Sequence, residues 1–268
     1  MTTEEVERID PANVALGKKL GKVEDPRTFQ LHELATLSEI DIPDEWLLGR
    51  NHSTVPVFAN DRYGDCTFAS NGHRIITQER AVGQGREIQL NDQDILKGYS
   101  AVTGFDQNTG ANDNGAYMLD VANFLRHQGL GQEKDKTPHM VTAYCEVGIK
   151  EEYARAGAVL FGGLWMGIWL PISAQRQRVW DVPPQGPIGD GRPGSWGGHA
   201  IYASGYDEEG IFFYTWGVRM KMTWRFFKVY CDECYVFISE DYLYRVRQTT
   251  PRGFNVDRLT ALLKELNG

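Results

Sequence analysis

Residues 60–75 read NDRYGDCTFASNGHRI, and this stretch decides how the chain is understood. Turn-forming residues Asn60, Asp61, Gly64 and Asp65 run up to Cys66. A helical pattern follows, with Thr67, Phe68, Ala69 and Ser70 leading on to Ile75 and Ile76. A thiol is thereby placed where a loop becomes a helix. The open N–H groups and positive dipole end of a helix favour a thiolate. A cysteine in such a place is also, by itself, an ordinary small buried hydrophobe. What separates the two is a base within hydrogen-bond reach.

His199 is the candidate base, 133 residues further on. It opens the strand-like run HAIYASGYD (199–207), behind Gly197 and Gly198, which permit close approach of another segment. His73 follows Cys66 by seven residues, about two helical turns, and reads as a helix-face residue.

The rest of the 268-residue chain bounds the function. It is 41% hydrophobic and 24% charged, which suits one large domain or two lobes with a real core. A formal net charge of −8 and no Lys/Arg-rich run argue against nucleic acid as partner. The leading MTTEEVERID is acidic and is not expected to be a secretion signal. The longest apolar stretch, AGAVLFGGLWMGIWLP (156–171), is too short and too glycine-broken for a membrane span; it is expected to be a buried strand pair or core segment. Four cysteines (66, 145, 231, 234) are few for a disulfide scaffold, so free thiols in the cytoplasm are expected.

Helices are expected over 66–82, 91–104 (capped by Asn91 or Asp92), 116–130 and 151–159. Strands are expected near 139–147, 159–170, 199–207, 210–217, 220–227 and 234–239, with room for one helix among the last of them. This is an α+β chain with helices in its first half and strands in its second. Residues 1–40 read as an extended arm. Residues 41–135 form a helical lobe and 136–245 a β-rich lobe, and 246–268 carry a terminal amphipathic helix.

The run IPDEW…VPVFANDRYGDCTFAS resembles the opening of the papain-like cysteine peptidases. Ile42, Pro43 and Trp46 stand at its start, and Gly64 and Cys66 match its Gly-x-Cys. DNGAYMLDVANFLRHQGL (113–130) resembles the substrate-groove turn and the helix after it; GGHAIYASGYDEEGIFFYTWG (197–217) resembles the histidine strand, its hairpin and the closing Trp-Gly. The Cys-to-His spacing lies in the family's range. Papain-like proteins of tailed phages and prophages carry similar NDRYGDC and TWG runs. The resemblance implies a two-lobe fold and a peptide or protein substrate. It puts Cys66 as nucleophile and His199 as base. Asn60, Asn114, Gly115, Trp196 and Trp216 fall at the oxyanion and substrate-groove positions.

The departures are specific. Asn60 stands where the family has a glutamine that donates to the oxyanion. The family's histidine-orienting asparagine is replaced by Tyr214, or by Thr215 after a one-residue shift. Asp65 adds an acidic group beside the thiol, which raises a thiol pKa. The leading arm of about 40 residues is too short to match the long inhibitory propeptide of secreted members.

Two functions follow. The first is a thiol hydrolase that cleaves peptide or amide bonds, with no metal or organic cofactor. The second is a papain-like scaffold, weak or inactive as an enzyme, such as a phage-particle component whose arm wraps a neighbouring subunit; a virion location would go with it. Cys231 and Cys234 form one CxxC, weak evidence for zinc without a second pair.

Overall fold

The structure is a computed structural model and describes residues 10, 14, 16–49, 53–82, 90–131 and 138–239. The expected terminal helix of 246–268 lies outside the described residues. In chain order, β1 (Phe29–Gln30), α1 (Leu31–Leu34) and β2 (Trp46–Leu47) precede the long helix α2 (Cys66–Val82). Helices α3 (Asp92–Thr103) and α4 (Met118–His127) follow. Then come β3 (Ala143–Glu146), α5 (Glu151–Phe161), β4 (Leu164–Leu170) and β5 (Val179–Trp180). Strands β6 (Gly197–Tyr206), β7 (Gly210–Thr215) and β8 (Val218–Thr223), helix α6 (Trp224–Tyr230) and β9 (Cys231–Ile238) complete the described chain. The class is α+β, as the sequence pattern indicates.

The strands form one nine-stranded sheet in the order β1-β3-β9-β4-β6-β7-β8-β5, with β2 on β6. Most pairings are antiparallel; β1 on β3 and β5 on β8 are parallel. Because side chains alternate along a strand, one sheet separates two cores. Ala200 and Tyr202 of β6, Trp165 of β4 and Tyr214 of β7 face the core built with α2, α3 and α4. Their neighbours Ile201, Met166 and Phe213 face the core that holds Phe161 of α5 and Phe226 of α6.

Local chemistry sets the helix ends. Asn91 Oδ1 accepts from the backbone N–H groups of Gln93 and Asp94, and Asp94 accepts from the Asn91 N–H, so α3 starts in a reciprocal capping box. Thr223 Oγ1 accepts from the Phe226 N–H at 3.0 Å and starts α6. The expected strand over 220–227 therefore ends at Thr223, and its second half is helical. Residues 159–161 likewise belong to α5; Gly162, at φ 76°, ends the helix before β4 begins. The stretch expected as a strand pair or core segment is thus a helix end followed by one strand.

Helix α2 lies against β6. Trp165 Nε1 donates to Ser70 Oγ at 2.8 Å, tying the helix to the sheet within a buried interface. Phe68 meets Phe124 edge-on at 5.5 Å between ring centroids, which ties α2 to α4. The start of α2 is thereby fixed beside the start of β6.

The arm is not a free extension. Phe29 and Gln30 pair with Cys145 and Glu146, and Leu31 and Leu34 are buried. Residues 16–20 run back over the seam between α2 and β6, as the next section describes.

Candidate active site

Cys66 is the first residue of α2 and His199 the third of β6, and both are fully buried. The Ala200 backbone N–H points at Cys66 Sγ at 3.4 Å. His199 Nε2 lies 2.7 Å from Thr215 Oγ1, the last residue of β7. The other ring nitrogen, Nδ1, has no hydrogen-bond partner. The imidazole lies flat on the Trp216 indole, with centroids 4.4 Å apart and 13° between planes. Trp196 also stacks on Trp216, with centroids 5.8 Å apart.

The Trp216–Gly217 pair is a two-residue turn between β7 and β8, with φ of 45° and 84°. A tight hairpin of this hand needs positive φ at both central residues. Gly217 takes it without a steric cost; Trp216 does not, and the stacking of its indole on His199 and Trp196 offsets that cost.

Thr215 and Tyr214 are adjacent on one strand, so they face opposite sides of the sheet. Thr215 reaches His199; Tyr214 is buried in the core on the other side, near the His73 ring. Of the two candidates for orienting His199, Thr215 is the one whose hydroxyl lies against the imidazole. His73 is a buried helix residue: its Nε2 is 2.9 Å from the Pro56 carbonyl and its ring stacks on Phe58. Burial, then this backbone contact working against it, leaves its pKa lowered to about 4.

Asn60 is buried, and its Nδ2 donates to Asp65 Oδ1 at 2.9 Å. The carboxamide expected at an oxyanion is turned to this neighbour instead, because Asp65 is itself fully buried and requires a donor. Burial pushes the Asp65 carboxyl well above the usual carboxylate range, opposed by the Asn60 hydrogen bond. A group held towards its neutral form weakens the repulsion that an aspartate beside the thiol would otherwise exert.

The groove loop is braced from beneath. Tyr99 Oη donates to Asp113 Oδ1 at 2.8 Å and accepts from the Gly115 N–H at 2.9 Å. The same carboxylate oxygen accepts from the Gly64 N–H at 2.9 Å. One tyrosine and one aspartate thus join α3, the groove turn and the loop before Cys66. Asn114 is exposed on that turn.

Sequence reasoning missed what fills the groove. Residues 16–20 cross it as a strap. Leu20 N donates to Ala116 O at 3.1 Å, and Ala116 N donates to Lys18 O at 3.2 Å, so the strap pairs with the groove turn in parallel. On its other side Lys19 N donates to Gly198 O at 3.1 Å. Gly17 lies over the thiol. A Cβ added there would be 2.5 Å from both Cys66 Sγ and His199 Nδ1, so only glycine fits. Lys18 Nζ pairs with Asp113 at 3.1 Å. The arm expected to reach a neighbouring subunit lies, over these residues, in its own cleft.

Under the strap both candidate reactive groups are driven neutral. Burial raises the Cys66 thiol to about 12, against a small opposing effect of the Ala200 N–H. Burial, with His73 adding to it, lowers His199 to about 3.

Comparison with known proteins bears on the fold. No family model matches the chain, and no curated protein matches it. Solved structures do. Xylellain, a cysteine protease from Xylella fastidiosa, superposes with a TM-score of 0.64 at 14% identity, over 84% of this chain and 98% of that one. The chain has a papain-like fold. Digestive procathepsin L 3 of the Tenebrio molitor larval midgut superposes on the papain-like frame at a TM-score of 0.56, with 12% identity over 85% of this chain and 77% of that one. The Carica candamarcensis cysteine protease CMS1MS2, in complex with E-64, does so at 0.51, with 13% identity over 74% and 99%.

Cys145, Cys231 and Cys234 are buried free thiols. Among the described residues, no group of three or more His, Cys, Asp or Glu is placed to hold a metal ion. No described helix is long and apolar enough to cross a membrane.

Proposed function

We propose that this protein is a thiol hydrolase that cleaves peptide or amide bonds with Cys66 as nucleophile and His199 as base. One observation carries the reading: the thiol and the unpartnered imidazole nitrogen converge on a single point, the one a Cβ on Gly17 would take. A substrate carbonyl at that position touches both groups.

The chemistry follows from the geometry. His199 Nε2–H donates to Thr215 Oγ1, which leaves the Nδ1 lone pair facing the thiol. Nδ1 takes the thiol proton as Sγ attacks the carbonyl carbon. The Cys66 N–H, at the open start of α2, is the oxyanion donor. Collapse expels the amine, which takes the proton from His199 and leaves a thioester. Water, deprotonated by His199, then attacks the thioester and frees the acid and the thiol. Peptides or proteins are the substrate class, since the groove offers backbone pairing partners in Ala116 and Gly198.

With the strap in place, no carbonyl reaches the thiol, and the intact chain is latent. Gly17→Leu cannot be seated, so it expels the strap. Hydrolysis of fluorescently labelled casein is expected from full-length Gly17→Leu and not from Gly17→Leu/Cys66→Ala. Equal activity of the two, or none in Gly17→Leu despite rapid alkylation of Cys66, would sink the reading.

A further inference from the structure

The strap also shows what side chain the cleft accepts. Lys19 is 3% exposed, and its side chain is fully buried in a pocket beside the thiol. Its Nζ lies 2.9 Å from Asp232 Oδ2 and 2.9 Å from Glu233 Oε1, and donates to the Leu20 carbonyl at 2.9 Å. The ammonium also stands 4.9 Å from the centre of the Trp169 ring, near enough for a cation–π contact.

The pocket is built, not improvised by the lysine. Trp169 Nε1 donates to Asp232 Oδ2 at 2.8 Å, and Tyr235 Oη donates to Glu233 Oε2 at 3.0 Å, so both carboxylates are fixed by the sheet. Glu233 is 1% exposed, and Asp232 Oδ1 is buried without a hydrogen-bond partner. Gly167 makes the room: a Cβ there would sit 2.7 Å from Glu233 Cγ and 2.8 Å from Met118 Sδ, and would collide with Lys19 Cε. A buried carboxylate facing an apolar, aromatic-walled slot is costly unless a cation fills it. The pocket stands two residues along the groove from the thiol, and among the described residues no cation other than Lys19 pairs with its carboxylates.

We propose that this pocket selects a basic side chain, so that the substrates are peptides carrying Lys or Arg one or two residues from the bond cleaved. Lys19 occupies it as an internal mimic. The strap runs parallel to the groove turn, and a substrate would bring the same kind of side chain to Asp232 and Glu233. This inference rests on the hydrolase reading for cleavage, but the binding preference stands apart from it.

The test uses two readouts on the full chain. Gly17→Leu expels the strap and opens the pocket; Gly17→Leu/Lys19→Met serves beside it, with the tethered lysine removed as a competitor. Calorimetry measures binding of blocked Lys-Gly and Leu-Gly dipeptides to the Cys66→Ala form of each. Fluorogenic dipeptide amides, with Lys, Arg, Leu or Glu before the residue at the cleaved bond, measure hydrolysis by the Cys66 form. At least a tenfold preference for Lys over Leu is expected in both, with Arg like Lys and Glu worst in hydrolysis. Asp232→Asn/Glu233→Gln is expected to abolish or invert it. Binding that favours Lys without hydrolysis upholds the pocket and overturns the hydrolase reading. Hydrolysis that favours Leu overturns the pocket and upholds the hydrolase. Equal binding of both dipeptides, no binding of either, or a preference untouched by the carboxylate substitutions also overturns the pocket.

Discussion

His199 Nε2 and Thr215 Oγ1 stand 2.7 Å apart at the matching ends of two sheet strands, and both residues are buried. A hydroxyl here takes the place at which the papain-like pattern has a carboxamide. In the proposed mechanism it accepts from Nε2–H and so holds the tautomer that leaves Nδ1 as the base. Thr215→Val keeps the shape and removes the acceptor. In a strap-displaced background, kcat/KM is expected to fall by about ten- to a hundredfold with little change in KM. Thr215→Ser is expected to recover most of the loss. Steady-state kinetics on a labelled peptide decide it; equal rates for Val and Ser would show that Thr215 does not orient the imidazole.

The strap makes a prediction about pH. Folded Cys66 loses its proton only near 12, and folded His199 gains one only near 3, so between those limits both are neutral. Burial under the strap thus disfavours a thiolate–imidazolium pair in the intact chain. Iodoacetamide should therefore modify Cys66 slowly from pH 5 to 8, at rates like those of buried Cys145, Cys231 and Cys234. In Gly17→Leu, water reaches the pair and the burial penalty falls. Cys66 should then react more than tenfold faster at pH 6 than in the intact chain. Peptide mapping measures all four thiols at once. A Cys66 as slow in the variant as in the parent would rule out a poised pair.

Cys66 at a helix start and His199 at a strand start were legible because each is a local pattern: turn residues before apolar periodicity, and a Gly-Gly before a β run. What sat between them was not legible. Lys19 gains its meaning from Asp232 and Glu233, more than two hundred residues away, and no local pattern links an acidic-rich arm to a late strand. The choice between Tyr214 and Thr215 needed strand register, since a shift of one residue exchanges the two faces. Asn60 was placed at the oxyanion by resemblance alone; that the turn residue Asp65 is buried and takes its Nδ2–H is a tertiary fact no local pattern carries. The one late helix had room in the pattern but no place, because WRFF is equally at home in a strand; the Thr223 cap starts α6 there.

His73 gives an acid-stability prediction. Its folded pKa is about 4, against about 6.5 when unfolded. Between these values the unfolded chain binds more protons, so stability falls as pH drops from about 6.5 towards 4. The full effect of one such group is about 3 kcal/mol. His199 acts in the same direction, while Asp65, raised by burial, acts in the opposite one. Comparison with His73→Gln isolates the one residue. The variant should be less stable at pH 7, since the stacking on Phe58 is lost, but its urea midpoint should change less between pH 7 and pH 5 than that of the parent. An identical change in both proteins would mean that His73 is not protonated on unfolding in this range.

Tyr99 links the groove to the nucleophile loop, and its removal separates stability from chemistry. The hydroxyl donates to Asp113 Oδ1 and accepts from the Gly115 N–H, while Asp113 holds the Gly64 N–H and pairs with Lys18. Burial, then the hydrogen bond to Asp113, raises the phenol well above its ordinary range, so it stays a donor at every accessible pH. Tyr99→Phe leaves the ring packed against Phe68 and Phe105 but strands the Gly115 N–H and one carboxylate lone pair. A cost of about 1–3 kcal/mol is expected, measured by denaturant unfolding. The groove turn also loses its brace, and the strap pairs with that turn through Ala116. Amide exchange at Lys19 and Leu20 should therefore accelerate in Tyr99→Phe relative to amides of β4, which the substitution does not touch. Unchanged exchange at the strap together with the stability loss would confine Tyr99 to holding the loop and deny it any hold on the strap.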